Sequence, residues 1–152
     1  MAKLTRIALL TALTAIVTMV VNIPLPHVHG YVNLGDTIIL LTGLLLGPAA
    51  GAVVGGLGSF LADMLLGYAY WAPWTLLIKG LEGFFTCYLR KRSAAAVSTG
   101  AGVMVIGYLA AGSIIYGLKP ALAQLPFDAL QGAVSLGVAL AVATPLKKYL
   151  QL

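Results

Sequence analysis

Four ionisable side chains lie within an otherwise almost wholly apolar part of the sequence, residues 33–86. They are Asp36, Asp63, Lys79 and Glu82, and each lies inside or at the edge of an apolar run rather than in a polar loop. Burying such a group in hydrocarbon costs roughly 2.5–3.5 kcal/mol on insertion scales, so it usually faces a protein interior or a watery cavity. These residues are therefore candidates for binding or transport. The alternative is that they only join helices through polar contacts.

The composition indicates a membrane protein. Of the 152 residues, 61% are hydrophobic and 9% are charged, and the mean hydropathy is +1.01. A soluble domain has about 45–50% apolar and about 25% charged residues. We therefore expect one integral membrane domain, residues 1–152. The net charge of +5 comes from basic residues at the ends of apolar segments, a pattern that indicates topology and gives no reason to expect a nucleic-acid partner.

Apolar runs and their proline and glycine breaks predict an all-α protein with six transmembrane helices. The expected helices are 4–23, 36–46, 48–67, 74–89, 98–118 and 127–146. The basic residues at one end of these spans are Lys3, Arg6, Arg90, Lys91, Arg92, Lys147 and Lys148, whereas Lys119 alone lies at the other end. The positive-inside rule then places both termini in the cytoplasm. The loops 24–35, 68–73 and 119–126 would face outside.

The predicted helix 36–46 is too short to cross a membrane. It measures about 16 Å at about 1.5 Å per residue, about half of a 30 Å hydrocarbon core. Unpaired backbone cannot face lipid, so the preceding loop 24–35 must pack against protein or line a cavity. Asp36 lies where the N-cap of this helix is expected. A short, interrupted span is a good pointer to a binding site.

Polar residues of several segments are expected to meet near the outer ends of the helices. Lys79 and Glu82 are i,i+3 neighbours and can neutralise each other. Glu82 would then accept a hydrogen bond from a ligand, unless the pair serves only the fold. The expected substrate-binding residues are Asn33, Asp36, Trp74, Lys79, Glu82, Tyr116, Asp128 and Gln131.

Aromatic residues cluster between the predicted third and fourth helices. Tyr68, Tyr70, Trp71 and Trp74 are typical of a belt at the membrane interface. We expect this role most strongly for Trp71. One or two of the four rings would instead stack on a ligand.

The sequence lacks the motifs of several other functions. It has no G-x-x-x-x-G-K-[ST] loop for ATP and no grouping typical of nucleophilic catalysis. His27 and His29 form a metal-like pair without a carboxylate or thiol nearby, so neither a metal nor a cofactor is expected. The sequence therefore predicts neither an enzyme nor a protein that energises transport with ATP by itself. A small, self-sufficient secondary transporter or channel, ion-coupled through Glu82 and Lys79, is one function open to it.

Motifs in residues 5–90 also carry a family resemblance. They are Ala8-xxx-Ala12, Asn33-Leu34-Gly35-Asp36, Leu46-Gly47-Pro48, Gly58-Ser59-Phe60-Leu61-Ala62-Asp63 with Gly67-Tyr68, and Ile78-Lys79-Gly80-Leu81-Glu82-Gly83. Together they resemble the substrate-binding S components of energy-coupling-factor (ECF) vitamin transporters. Within that family the chain is most similar to the subgroup linked to hydroxymethylpyrimidine or pyridoxine-type precursors.

The resemblance implies a six-helix protein of a prokaryotic plasma (inner) membrane that captures a vitamin from outside. It also implies a transmembrane coupling subunit (EcfT-type) carrying two ATPases as the partner. In such proteins the first helix supplies a docking face of small residues, which corresponds here to Ala8 and Ala12. The loop after that helix acts as a lid, which corresponds to residues 24–35.

Overall fold

The computed structural model of this chain describes residues 2–25, 30–88 and 92–150. These residues form six helices: Ala2–Val20 (α1), Gly35–Leu46 (α2), Pro48–Leu66 (α3), Ala72–Phe85 (α4), Ser93–Tyr116 (α5) and Leu118–Leu150 (α6). Two short antiparallel strands, Ile23–Pro24 (β1) and Tyr31–Val32 (β2), form a hairpin between α1 and α2. The pair His27 and His29, and Arg90 and Lys91 of the basic cluster, lie outside the described residues.

Four of the described helices are long and apolar enough to cross a membrane. They are α1 from Lys3 onward, α3, α5, and α6 as far as Leu146. The helices α2 and α4 have 12 and 14 residues, or about 18 and 21 Å, against a hydrocarbon core of about 30 Å. By length and composition this chain is a multi-pass membrane protein, with two short helices among its long ones.

Several helix ends differ from the expected ones. The largest difference is in α6, which begins at Leu118 rather than at 127, so residues 119–126 are helical and not a loop. Gly117, with φ of 90°, makes the turn out of α5 because glycine adopts positive φ at little cost. Pro126 lies inside α6; proline is tolerated within membrane helices where neighbouring groups satisfy the freed backbone. Its presence therefore does not end the helix.

The other helix boundaries shift by smaller amounts. The helix α1 ends at Val20, because Ile23 joins β1, and α4 ends at Phe85 rather than at 89. The helix α5 begins at Ser93 rather than at 98. Its first turns contain alanines, which favour helix, so helical structure begins before the strongly apolar run.

The short helix α2 lies at the centre of the bundle. It contacts each of the other five helices. Ile39, Leu40 and Leu44 are fully buried. A helix that is apolar on all sides is expected in a protein interior rather than on a surface. The other helices therefore screen α2 from lipid, which explains how so short a helix is accommodated.

Glycines let α3 and α4 pack backbone to backbone. A Cβ added at Gly83 would overlap the backbone of Gly51, and one added at Gly55 would overlap the Lys79 carbonyl. Small residues at such crossings are typical of membrane helices, where close van der Waals packing drives association. This packing fixes the position of Lys79 along α4.

We predict that Gly83→Ala destabilises the protein. The added methyl group has no room at the α3–α4 crossing, and overpacking of this kind costs about 1–3 kcal/mol. Thermal unfolding in detergent measures the effect. Gly102→Ala is the matched control, because a Cβ at Gly102 in α5 meets nothing within 4 Å. Equal melting temperatures for the two variants would contradict the prediction.

Candidate binding site

A buried charged group joins α2 and α4. Lys79 Nζ donates a hydrogen bond to Asp36 Oδ1 and lies 3.1 Å from Glu82 Oε2. Lys79 is 2% exposed, Asp36 is 1% exposed and Glu82 is 0% exposed. Breaking such a group by removing one partner leaves an uncompensated charge in a low-dielectric interior. We call these three residues the charge triad.

Gln131 connects the charge triad to α6 and to the hairpin. Its Nε2 donates to Asp36 Oδ2 at 2.7 Å, and its Oε1 accepts from the backbone N–H of Asn33 at 2.9 Å. Asn33 Oδ1 in turn accepts from the N–H of Gly35 at 2.8 Å. The sequence expectation that Asp36 caps α2 is therefore wrong. The helix begins one residue earlier, and Asn33 satisfies its first N–H while Asp36 remains available to Lys79.

A second polar contact joins the hairpin to α3. The Tyr31 hydroxyl donates a hydrogen bond to Asp63 Oδ1, and the Tyr31 ring lies 4.9 Å from that of Tyr68 between centroids. Burial, and next the nearby Asp63 carboxylate, raise the pKa of Tyr31 above its ordinary value. Tyr31 therefore stays protonated and remains a hydrogen-bond donor at neutral pH.

A cavity of about 30 Å³ lies between the charge triad and the contact of Tyr31 with Asp63. It is lined by Thr18, Gly30, Tyr31, Asn33, Ser59, Asp63, Tyr68, Trp71, Thr75, Lys79, Tyr108, Gln124, Asp128 and Gln131. By this measure a water molecule needs roughly 10–15 Å³, so the space holds about two waters. A ligand of one aromatic ring would require the lining to move apart.

The eight residues expected to bind substrate fall into three groups. Four line the cavity: Asn33, Lys79, Asp128 and Gln131. Asp36 and Glu82 contact Lys79 but do not themselves line the cavity. Trp74 and Tyr116 pack into the aromatic cluster around Trp71, also outside the lining. The structure therefore brings polar residues of the hairpin, α2, α4 and α6 to one region.

Trp71 packs inside the bundle and is not exposed on its surface, as an anchor in an interfacial belt would be. It is 6% exposed and lines the cavity, and its ring centroid lies 5.8 Å from those of Tyr108 and Tyr116. The backbone N–H of Trp71 donates to the carbonyl of Tyr68 at 2.8 Å, in the turn that leads into α4. Tyr70, by contrast, is 65% exposed. Neighbouring aromatics in one loop thus point in different directions, which composition does not distinguish.

Several lining residues were not among the eight expected from the sequence. Asp63 carried a signal, because a carboxylate in an apolar helix needs an explanation, and Ser59 lies one turn before it on the same face of α3. Thr75 lies four residues before Lys79 on α4, and Tyr108 donates to its hydroxyl at 3.3 Å. Tyr31 carried no such signal, because a tyrosine in a loop is ordinary.

The described residues contain no group of three or more His, Cys, Asp or Glu side chains that could hold a metal ion. The side chains near the cavity that could ligate a metal are carboxylates, and two of them, Asp36 and Glu82, already contact the ammonium of Lys79. The chemistry available in the cavity is hydrogen bonding, charge and aromatic stacking. Pockets for small molecules use interactions of these kinds.

Comparisons with known proteins point to one family. A family model described as ECF-type riboflavin transporter, S component, matches residues 1–148. The thiamine precursor transporter HmpT of Lactococcus lactis subsp. cremoris is 32% identical over 146 residues, which cover 95% of this chain and 86% of that protein. An uncharacterized protein in a gap 3' region of Pyrococcus woesei is 40% identical over 122 residues, 76% of this chain and 82% of that protein. The UPF0397 protein YdcD of Lactococcus lactis subsp. lactis is 36% identical over 81 residues, 53% of this chain and 44% of that protein.

We predict that Lys79→Met destabilises the fold strongly. Two buried carboxylates would lose their shared cation, and such a loss costs about 3–5 kcal/mol. The free energy of unfolding in mixed micelles measures it. The triple variant Lys79→Met, Asp36→Asn, Glu82→Gln removes all three charges and should recover part of the loss. A triple variant no more stable than Lys79→Met would show that charge is not the reason.

Proposed function

This chain belongs to the family of S components of ECF-type transporters, and on that premise we propose a specific task for it. S components are substrate-binding subunits of vitamin transporters and are not enzymes. We propose that this one captures a small vitamin precursor from outside in the cavity beneath the hairpin. It then delivers the precursor through an EcfT-type coupling subunit energised by two ATPases. The observation that carries the proposal is a buried polar cavity in an otherwise apolar bundle.

The substrate we favour has a single ring, such as hydroxymethylpyrimidine or a pyridoxine-like heterocycle. The family model names riboflavin, which has three fused rings and a sugar-alcohol chain. The relative that aligns with 95% of this chain is a thiamine precursor transporter. A cavity of about 30 Å³ requires less rearrangement for one ring than for three. Size and that relative together support the smaller substrate.

The proposed ligand contacts are the polar residues of the lining. Asn33, Lys79, Asp128 and Gln131 would contact the ligand directly. Asp36 and Glu82 would act through Lys79, because both contact its ammonium group. Trp74 and Tyr116 would act through the Trp71 ring, against which they pack. Pockets of this kind combine an aromatic wall with a few placed polar groups.

We further propose that this single domain, residues 1–152, crosses a prokaryotic plasma membrane six times with both termini in the cytoplasm. The distribution of basic residues supports this orientation. Lys3, Arg6 and Arg92 lie at or near the ends of α1 and α5 that would face the cytoplasm. The hairpin would then face outside, where the vitamin is encountered.

Co-purification tests the proposed function. A tagged chain expressed with a coupling subunit and two ATPases should purify as a complex, and mass spectrometry should find a small heterocycle bound. The rival function is a self-sufficient secondary transporter, which the buried carboxylates beside Lys79 favour as proton carriers. Uptake driven by a proton gradient in cells without any ATPase partner would support the rival and contradict our proposal.

We predict that Ala8→Leu with Ala12→Leu blocks assembly and leaves ligand binding nearly unchanged. Both alanines are exposed on α1, and bulk at a close helix crossing separates the backbones. Pull-down of the coupling subunit measures assembly, and calorimetry measures binding. Leu9→Phe is the control, because residue 9 is 66% exposed and points about 100° away from residue 8. Normal pull-down by the double variant would reject this docking face.

We predict that the segment 24–35 orders over bound ligand. Tyr31 and Asn33 already reach from it to α3 and α6, so a ligand between these helices would add contacts to it. Amide exchange at Leu25, Tyr31 and Val32 should slow when ligand is added, by about tenfold or more. The turn at Gly47, at the other end of α2, should exchange equally with and without ligand. Unchanged exchange in the hairpin would count against a lid.

A further inference from the structure

An open groove runs between α1, α2 and α6 towards the end of the bundle that lies away from the charge triad. Both α1 and α6 pack on α2, but no Cα atom of α1 lies within 8 Å of one of α6 in the described part of the chain. The space between them measures about 580 Å³, within the roughly 300–1,000 Å³ of small-molecule pockets. It is separate from the proposed vitamin site, because the two share no lining residue.

The walls of this groove are almost wholly apolar. Aliphatic side chains from three helices supply most of them, among them Leu10 and Leu13 of α1, Ile38 and Leu45 of α2, and Leu146 of α6. Thr42 also lines the groove, but its hydroxyl already donates to the Ile38 carbonyl at 2.7 Å. A hydrocarbon chain can match such walls by van der Waals packing, whereas a polar molecule would lose hydrogen bonds to water.

Arg6 is the one charged residue among the described lining residues of the groove, and it is exposed. The ion pairs of the described residues both use Lys79, and the four Asp and Glu residues of the sequence either line the vitamin cavity or contact Lys79. Thr18 of α1 lines that cavity, so Arg6 lies about 18 Å from it along the helix. The Arg6 guanidinium is therefore open to an external anion, and its planar donors suit a phosphate.

Charge and hydrocarbon follow one face of α1 in the order in which a phospholipid presents them. Lys3, Arg6, Leu10 and Leu13 are spaced by three, four and three residues, so they lie on the same side of the helix. Lys3 is exposed and lies about one turn beyond Arg6. The positive-inside rule explains basic residues at a helix end, but it does not explain why one of them opens onto an apolar groove.

We propose that the groove holds an acyl chain of an anionic phospholipid whose phosphate is bound by Arg6, with Lys3 as a second charge contact. In the orientation proposed above, this end of α1 lies in the cytoplasmic leaflet, and basic pockets between helices on that side bind anionic headgroups. The lipid would fill the gap between α1 and α6 and hold both against α2. This inference does not depend on which molecule the vitamin cavity binds.

The groove and the proposed docking face use different sides of α1. At about 100° per residue, the mean direction of Arg6, Leu10 and Leu13 lies about 150° from that of Ala8 and Ala12. A coupling subunit seated on the two alanines would therefore leave the groove open. We expect the same lipid in the free S component and in the assembled transporter.

Competition between two lipids tests the headgroup. The full chain is reconstituted in vesicles of equal parts dioleoylphosphatidylglycerol and dioleoylphosphatidylcholine, whose acyl chains are identical. Native mass spectrometry then counts the lipids that stay bound when the protein leaves the membrane. Phosphatidylglycerol should be retained about fivefold more often, the ratio expected for one basic side chain at a membrane surface. Equal retention of the two lipids, or retention of neither, would overturn the proposal.

Arg6→Gln tests the anion contact. The variant should lose most of the preference for phosphatidylglycerol. Arg92→Gln is the matched control, because it removes the same charge from an exposed residue that does not line the groove, and it should keep the wild-type preference. An equal loss in the two variants would show that net charge alone attracts the lipid, which contradicts a site at Arg6.

Leu13→Trp tests the groove itself. Its indole should occupy space that the acyl chain needs, so fewer copies of the protein should retain phosphatidylglycerol. Ile106→Trp is the control, because Ile106 is 68% exposed on α5, which does not line the groove. Unchanged retention in Leu13→Trp would place the acyl chain elsewhere and reject the groove. Loss of the lipid on assembly with the coupling subunit, or its replacement by a second copy of the chain, would make a protein the occupant and reject the lipid.

Discussion

The rest of the structure depends on one requirement, which is to keep the ammonium group of Lys79 satisfied inside an apolar bundle. Removing an ion from water costs several kcal/mol even after relaxation, and only well-placed partners offset it. Asp36 from α2 and Glu82 from α4 supply the opposite charge, and Gln131 from α6 donates a hydrogen bond to Asp36 Oδ2. These polar contacts thus fix the positions of three helices and the hairpin relative to one another. In a membrane, where burial of apolar surface does not drive helices together, such contacts and close packing take over that role.

The glycine crossing of α3 on α4 and the charge triad belong to one arrangement. Backbone contact at Gly51 and Gly83 draws α3 towards α4, so that Asp63 on one helix and Thr75 on the other border the same cavity. Tyr31 of the hairpin and Asn33, which directly follows it, form another part of the cavity wall. A polar interior of this kind would be a poor way to stabilise a bundle, since apolar residues of similar volume often do as well or better. Its presence is better explained by capture of a polar molecule.

The sequence was sufficient for the family, the membrane location and the helical class, because these follow from composition and from motifs that span residues 5–90. It also identified the region, since a carboxylate or ammonium in an apolar helix is rare enough to indicate a shared cavity. The sequence did not predict features for which one local pattern is compatible with several tertiary structures. Pro126 reads as a helix boundary, yet α6 continues through it. Helical spacing pairs Lys79 with Glu82, but it cannot show that Asp36 from another helix is the hydrogen-bonded partner or that Glu82 lies away from the cavity.

The short central helix α2 has a consequence for how the protein is made. With 12 residues, α2 is too short to cross the hydrocarbon core as an independent span. It must enter the bilayer as one unit with α3, to which the turn at Gly47 and Pro48 joins it directly. The Asp36 carboxylate then lacks the ammonium group of Lys79 until α4, which is synthesised later, has been inserted. Completion of the core is therefore postponed until the second half of the chain has left the ribosome.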